Sequence, residues 1–68
     1  MSEQVRNPIT ILRRKQVESR TGLSRSSIYA MMANGSFPRN VSLGRGSRSV
    51  GWIEKQIDEW LESLIAKA

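Results

Sequence analysis

Cations and hydroxyls are the side chains of this sequence that are placed to do chemistry. Arg25, Ser26, Ser27 and Tyr29 follow closely on Ser24, a good helix cap, and Arg45 and Arg48 stand in a glycine- and serine-rich turn, GRGSR. Such groups form charge-assisted hydrogen bonds with phosphates and base edges, and they form no covalent bonds unaided. The chain has no histidine and no cysteine, so the usual zinc ligands and thiol chemistry are missing. No general base stands beside any serine to make it a nucleophile, and four carboxylates, Glu54, Asp58, Glu59 and Glu62, gather on one late helix. The phosphate-loop pattern GxxxxGK[ST] is absent around Gly44 and Gly46, and no helix follows them directly, which argues against nucleotide binding. These residues describe a binding protein and not an enzyme, with no metal and no cofactor.

The elements that must position these side chains can be read in order. Ile9, Ile11 and Leu12 suggest a short extended lead-in, with Ile11 or Leu12 anchoring the core. A first helix of about two turns runs from Arg13 or Arg14 to Arg20, with Val17 facing inward; a helix that short is stable only when packed. Gly22 ends it, and Leu23 plugs back toward Ile28. The second helix is capped by Ser24, whose hydroxyl can accept from an amide one turn on, and is stopped by Gly35 in the left-handed conformation. Ile28, Met31 and Met32 share its inner face, leaving Ser26, Tyr29, Ala30 and Ala33 outside with Arg25 at the edge. A helix, a glycine turn and a capped helix match the helix-turn-helix unit, whose second helix enters the major groove of DNA.

Beyond Pro38, Val41 and Leu43 alternate with polar residues, as do Val50 and Trp52, predicting a half-buried β-hairpin whose tip carries Arg45 and Arg48. A hairpin tipped with arginine after a helix-turn-helix is a wing, suited to a minor groove or to phosphates. A last helix from Ile53 or Glu54 to Ala66 carries the stripe Ile53, Ile57, Trp60, Leu61 and Leu64, with its acids on the outer face. The expected fold is α+β, a small winged helix-turn-helix over 9–68 preceded by a flexible segment, 1–8.

Charge divides the chain in the same way. The 68 residues hold 11 Lys and Arg against 6 Asp and Glu. Between Arg6 and Arg48 the only acid is Glu18, whereas from Ser49 onward acids outnumber Lys55 and Lys67. A segregated basic surface suits a polyanion. No apolar run approaches the ~20 residues of a membrane span, and MSEQVRNP lacks the apolar centre of a signal peptide. The expected location is cytoplasmic, at the nucleoid, with no membrane partner.

Taken in order, ILRRKQV, TGLSRSSIYAMMANGSFP and VSLGRGSRSVGWIEKQIDEWL resemble the AlpA family of small phage-encoded regulators, which lies close to the excisionases and to the DNA-binding part of the MerR superfamily. The resemblance runs from about Ile11 to Leu64, and GLSRSSIY, GSFP and VGW are its most specific pieces. It implies a winged helix-turn-helix that binds double-stranded DNA near prophage or genomic-island genes. It places Arg25, Ser26 and Tyr29 at the major groove, Arg45 and Arg48 in the wing, and Arg13, Arg14 and Lys15 where a first helix meets the DNA backbone. The wing, GRGSRSVGW, is longer or richer in glycine than in many relatives, so the groove that Arg45 enters stays open.

Three functions fit these expectations. The first is a sequence-specific transcriptional regulator of a prophage or genomic island, controlling an integrase gene or excision, with integrase or RNA polymerase as further partners. The second is an excisionase that bends attachment-site DNA. The third is a protein-binding adaptor that inhibits a regulator without needing DNA. A monomer, or a weakly self-associating protein on DNA, fits the absence of a helix with a spare apolar face.

Overall fold

Trp52, fully buried, is the residue around which the elements assemble. The computed structural model describes residues 8–44, 46 and 48–68. Their order is β1 (Ile11–Leu12), α1 (Arg14–Thr21), α2 (Arg25–Ala33), β2 (Val41–Ser42), β3 (Val50–Ile53) and α3 (Glu54–Lys67). Apart from Pro8, the flexible start expected over 1–8 lies outside the described residues, as do Arg45 and Ser47. The architecture is α+β, a winged helix-turn-helix with, among the described residues, three helices and an antiparallel sheet.

The lead-in is itself a strand. Ile11 and Leu12 pair with Ile53 and Trp52, and Val41 and Ser42 pair with Gly51 and Val50, giving the order β1-β3-β2. A period of two turns successive side chains to opposite faces. Trp52 and its partner Leu12 face the helices and join Val17, Ile28, Phe37 and Ile57 in the core. Gly51, Ile53, Ile11 and Val41 therefore point the other way. The expected half-buried strand is corrected on this ground: Val41 and Leu43 remain 37% and 40% exposed, because the helices cover only the opposite face. Gly51 is needed there, since a Cβ would collide with Ile11 Cγ2 and lie 3.1 Å from the Leu12 carbonyl oxygen.

The helix ends are built from local hydrogen bonds. The Arg13 amide donates to Gln16 Oε1 at 2.7 Å, one half of a capping box; arginine has no acceptor with which to complete the other half. Gly22, at φ 75°, closes α1 with its amide on the Glu18 carbonyl. Ser24 Oγ accepts from the Ser27 amide at 3.2 Å to open α2. Gly35, at φ 82°, lets the Ser36 amide turn back to the Met31 carbonyl at 2.8 Å, which satisfies a carbonyl that the helix end would leave bare.

Both tryptophans then fix the chain that leads from α2 to the wing. Trp52 Nε1 donates to the Pro38 carbonyl at 3.1 Å and Trp60 Nε1 to the Ser36 carbonyl at 2.7 Å. Between them Phe37 meets Trp60 edge-on at 4.7 Å. The inward stripe of α3 stops sooner than its sequence pattern predicts. Leu61 packs on the core, whereas Leu64 and Ile65 are 45% and 74% exposed, because the body that α3 packs on ends before the helix does.

Candidate nucleic-acid interface

Three elements aim cations at one concavity. Arg13, Arg14 and Lys15 come from the start of α1, Arg25 and Tyr29 from α2, and Arg48 and Val50 from the wing, around a hollow of about 400 Å³. Both helices enter with basic residues and with no acid in the first turn. The macrodipole leaves partial positive charge at each of these ends, so the exposed amides and the side chains favour an anion together.

The cations are not equivalent. Arg14 is bound by Glu18 one turn on, across the surface of α1. Arg13 Nε donates to the Val50 carbonyl at 3.1 Å, tying α1 to the wing. Lys15, Arg25 and Arg48 form no ion pair with any described residue. The Arg25 guanidinium lies over the Tyr29 ring, 5.3 Å from its centroid. Tyr29 in turn meets Trp52 edge-on, at 6.3 Å and 74°. Tyr29 is thus half-buried and packed on the core, a correction to its expected place on the outer face: an aromatic ring at the edge of the helix finds apolar area inward.

Of the hydroxyls expected in the interface, Ser27 serves the helix cap, its amide and Oγ both bonded to Ser24 Oγ. Ser26 is exposed on the first turn of α2 but does not line the hollow. Arg45 lies outside the described residues. Val50, read from the sequence only as a strand residue, lines the hollow as well, and the Arg13 tether has no counterpart among the expected contacts; the alternation in VGW was the available signal, since it sets Val50 on the face of Trp52.

Charge on the other side of α1 is spent internally. Arg20 Nη1 donates to Glu54 at 2.9 Å, and Nη2 donates to Asp58. These bonds, chiefly the one to Asp58, hold the guanidinium charged more firmly than usual. Glu54 and Asp58 are therefore not on a free outer face of α3, as the sequence pattern suggests, but turned toward α1. Among the described residues no three His, Cys, Asp or Glu side chains gather where they could hold a metal, and no helix is long and apolar enough to cross a membrane.

Residues 10–65 match the family described as prophage CP4-57 regulatory protein (AlpA). The DNA-binding transcriptional activator AlpA of Escherichia coli (strain K12) is 40% identical over 62 residues, covering 82% of this chain and 86% of that protein. An uncharacterised protein of Enterobacteria phage P4, ORF88, is 40% identical over 55 residues, covering 81% of this chain and 60% of that protein.

Proposed function

This chain belongs to the AlpA family of prophage regulatory proteins, and from that premise we propose that it is a sequence-specific DNA-binding regulator of transcription. The observation that carries the reading is the convergence of Arg13, Lys15, Arg25 and Arg48 from three elements on one concavity. A duplex presents its phosphates along two ridges, and cations on a helix pair and on a hairpin can grip both. In this reading α2 enters the major groove, Arg25 reads a base edge, the α1 cations hold one backbone and Arg48 holds the flank. The name of the K12 relative supports regulation of transcription, and the phage relative is in keeping with a prophage or genomic-island setting. The expected target is the control region of an integrase gene.

Selection of duplexes from a randomised pool, followed by footprinting, tests the reading. The protein should enrich one sequence, and its affinity should fall steeply as salt rises, because each phosphate contact releases counterions. Arg25→Ala should lower the preference for that sequence over a scrambled duplex by about 1–3 kcal/mol. Binding that is absent or insensitive to salt would return the protein to the adaptor reading. Several adjacent footprints with a measured bend would make it an excision factor; one operator beside a promoter would make it a regulator.

A further inference from the structure

The geometry points to Tyr29 as the residue that sets the specificity of Arg25: it restricts the orientation of the guanidinium and does not itself contact DNA. This inference rests on the DNA-binding reading and names how the same site discriminates.

Arg25 is the first residue of α2, where the macrodipole disfavours a cation. Neither an acid in that turn nor a carboxylate elsewhere among the described residues offsets it. Instead, Tyr29 comes round beneath it one helical turn later, and residues four apart on a helix meet. The guanidinium carbon stands 5.3 Å from the ring centroid, inside the range in which a cation is attracted to an aromatic face. The ring beneath it is held in its turn. Its contact with Trp52 is edge-to-face, at 6.3 Å and 74°, and Trp52 is fully buried with its indole N–H on the Pro38 carbonyl. Core, aromatic ring and arginine therefore form one line of contacts that ends at the concavity.

Such a line of contacts changes what an arginine can do. A free arginine carries several rotamers, and ordering it on a ligand opposes binding. A guanidinium held over a ring has fewer orientations open to it, which favours the planar fork that two parallel hydrogen bonds to a base edge require. The base so read is guanine, whose O6 and N7 accept a bidentate arginine in the major groove. Lysine in place of Arg25 keeps the charge but has neither the plane nor the fork.

The test uses the full chain and the duplex it selects from a randomised pool, with a scrambled duplex as reference. Tyr29→Leu should reduce the ratio of the two affinities by about threefold to thirtyfold, and Tyr29→Phe, which keeps the ring, should restore most of that loss. Arg25→Ala and Tyr29→Leu should not add in the double variant, because both remove one positioned fork. Arg25→Lys, which leaves Tyr29 and the charge in place, should lose discrimination, its affinity for the selected duplex falling further than its affinity for the scrambled one. A Tyr29→Phe variant as impaired as Tyr29→Leu would show a contact by the phenolic hydroxyl and overturn the inference, as would additive losses or full discrimination by Arg25→Lys. A second measurement needs no DNA. In the free protein the Arg25 side-chain protons should be shifted upfield by the Tyr29 ring current, and Tyr29→Phe should keep that shift. Unshifted protons would overturn the contact whatever the protein binds, whereas a shifted spectrum with no selected duplex would count against the DNA-binding reading and leave the contact standing.

Discussion

The helix that closes the fold and the two helices that face the concavity obey opposite rules at their ends. Helix α3 begins with Glu54 and ends with Lys67, each of the sign that the macrodipole favours. Helices α1 and α2 begin with Arg14, Lys15 and Arg25 and have no acid in the first turn. A charge of the wrong sign there costs about 0.3–1 kcal/mol, and a 68-residue domain has little stability to give away. Local rules tend to be broken where function demands it. Charges of the fold and charges offered to the proposed ligand can thus be told apart: Arg20 joins Glu54 and Asp58 of α3, while Lys15, Arg25 and Arg48 meet no carboxylate among the described residues.

The division breaks most visibly if α3 is weakened. Ile57 is fully buried at the centre of its inner face, and Ile57→Ala should cost about 2–5 kcal/mol. Since small domains are stable by roughly 0.05–0.15 kcal/mol per residue, much of the population should unfold, as read by urea titration of tryptophan fluorescence. Adding the selected duplex should raise the midpoint again by mass action, because the concavity itself is unaltered. A midpoint unmoved by saturating duplex would mean that α3 contributes to binding as well as to folding.

Ser26→Glu tests the same division from the other side. The residue is exposed on the first turn of α2, where a carboxylate suits the macrodipole. Thermal stability should rise by about 0.3–1 kcal/mol, and affinity for the duplex should fall by roughly tenfold or more, because in the proposed complex the first turn of α2 enters the groove and a carboxylate there would be repelled by the phosphates. Opposite signs in the two measurements are the expected signature of a surface shaped for binding at the expense of stability.

The fold was more legible in the sequence than the site. Ser24, Gly22 and Gly35 announced both helix ends, and Val17, Ile28 and Ile57 announced the core, because caps and periodicity are local. Pairing is not local. Nothing between Ile9 and Leu12 reveals that β1 will join β3 across some 40 residues, and so the exposed face shared by Val41 and Leu43 could not be foreseen. The cations of the site were visible as a charge map, but their partners were not. Glu18 sits four residues from Arg14 and was a readable pair; the bonds of Arg20 to Glu54 and Asp58, and of Arg13 to Val50, span more than thirty residues. Tyr29 falls between these cases: its spacing from Arg25 was legible, and its anchor on Trp52 was not.

The smallest effect separates the two sets of arginines most directly. Arg48 lines the concavity without an ion pair among the described residues, so Arg48→Ala should remove one phosphate contact and lower the slope of log affinity against log salt by about 0.9. Between 50 and 200 mM salt that amounts to about a threefold smaller loss of affinity than the parent shows. Arg20→Ala leaves the concavity intact and removes the bond between α1 and α3. It should lower the melting temperature and leave the slope unchanged, although it removes the same formal charge from a protein of the same size. Two variants of equal net charge with different slopes would show that location, and not total charge, governs binding. Equal slopes would mean that the field of the whole molecule does the work, and the distinction between charges of the fold and charges of the ligand would fail.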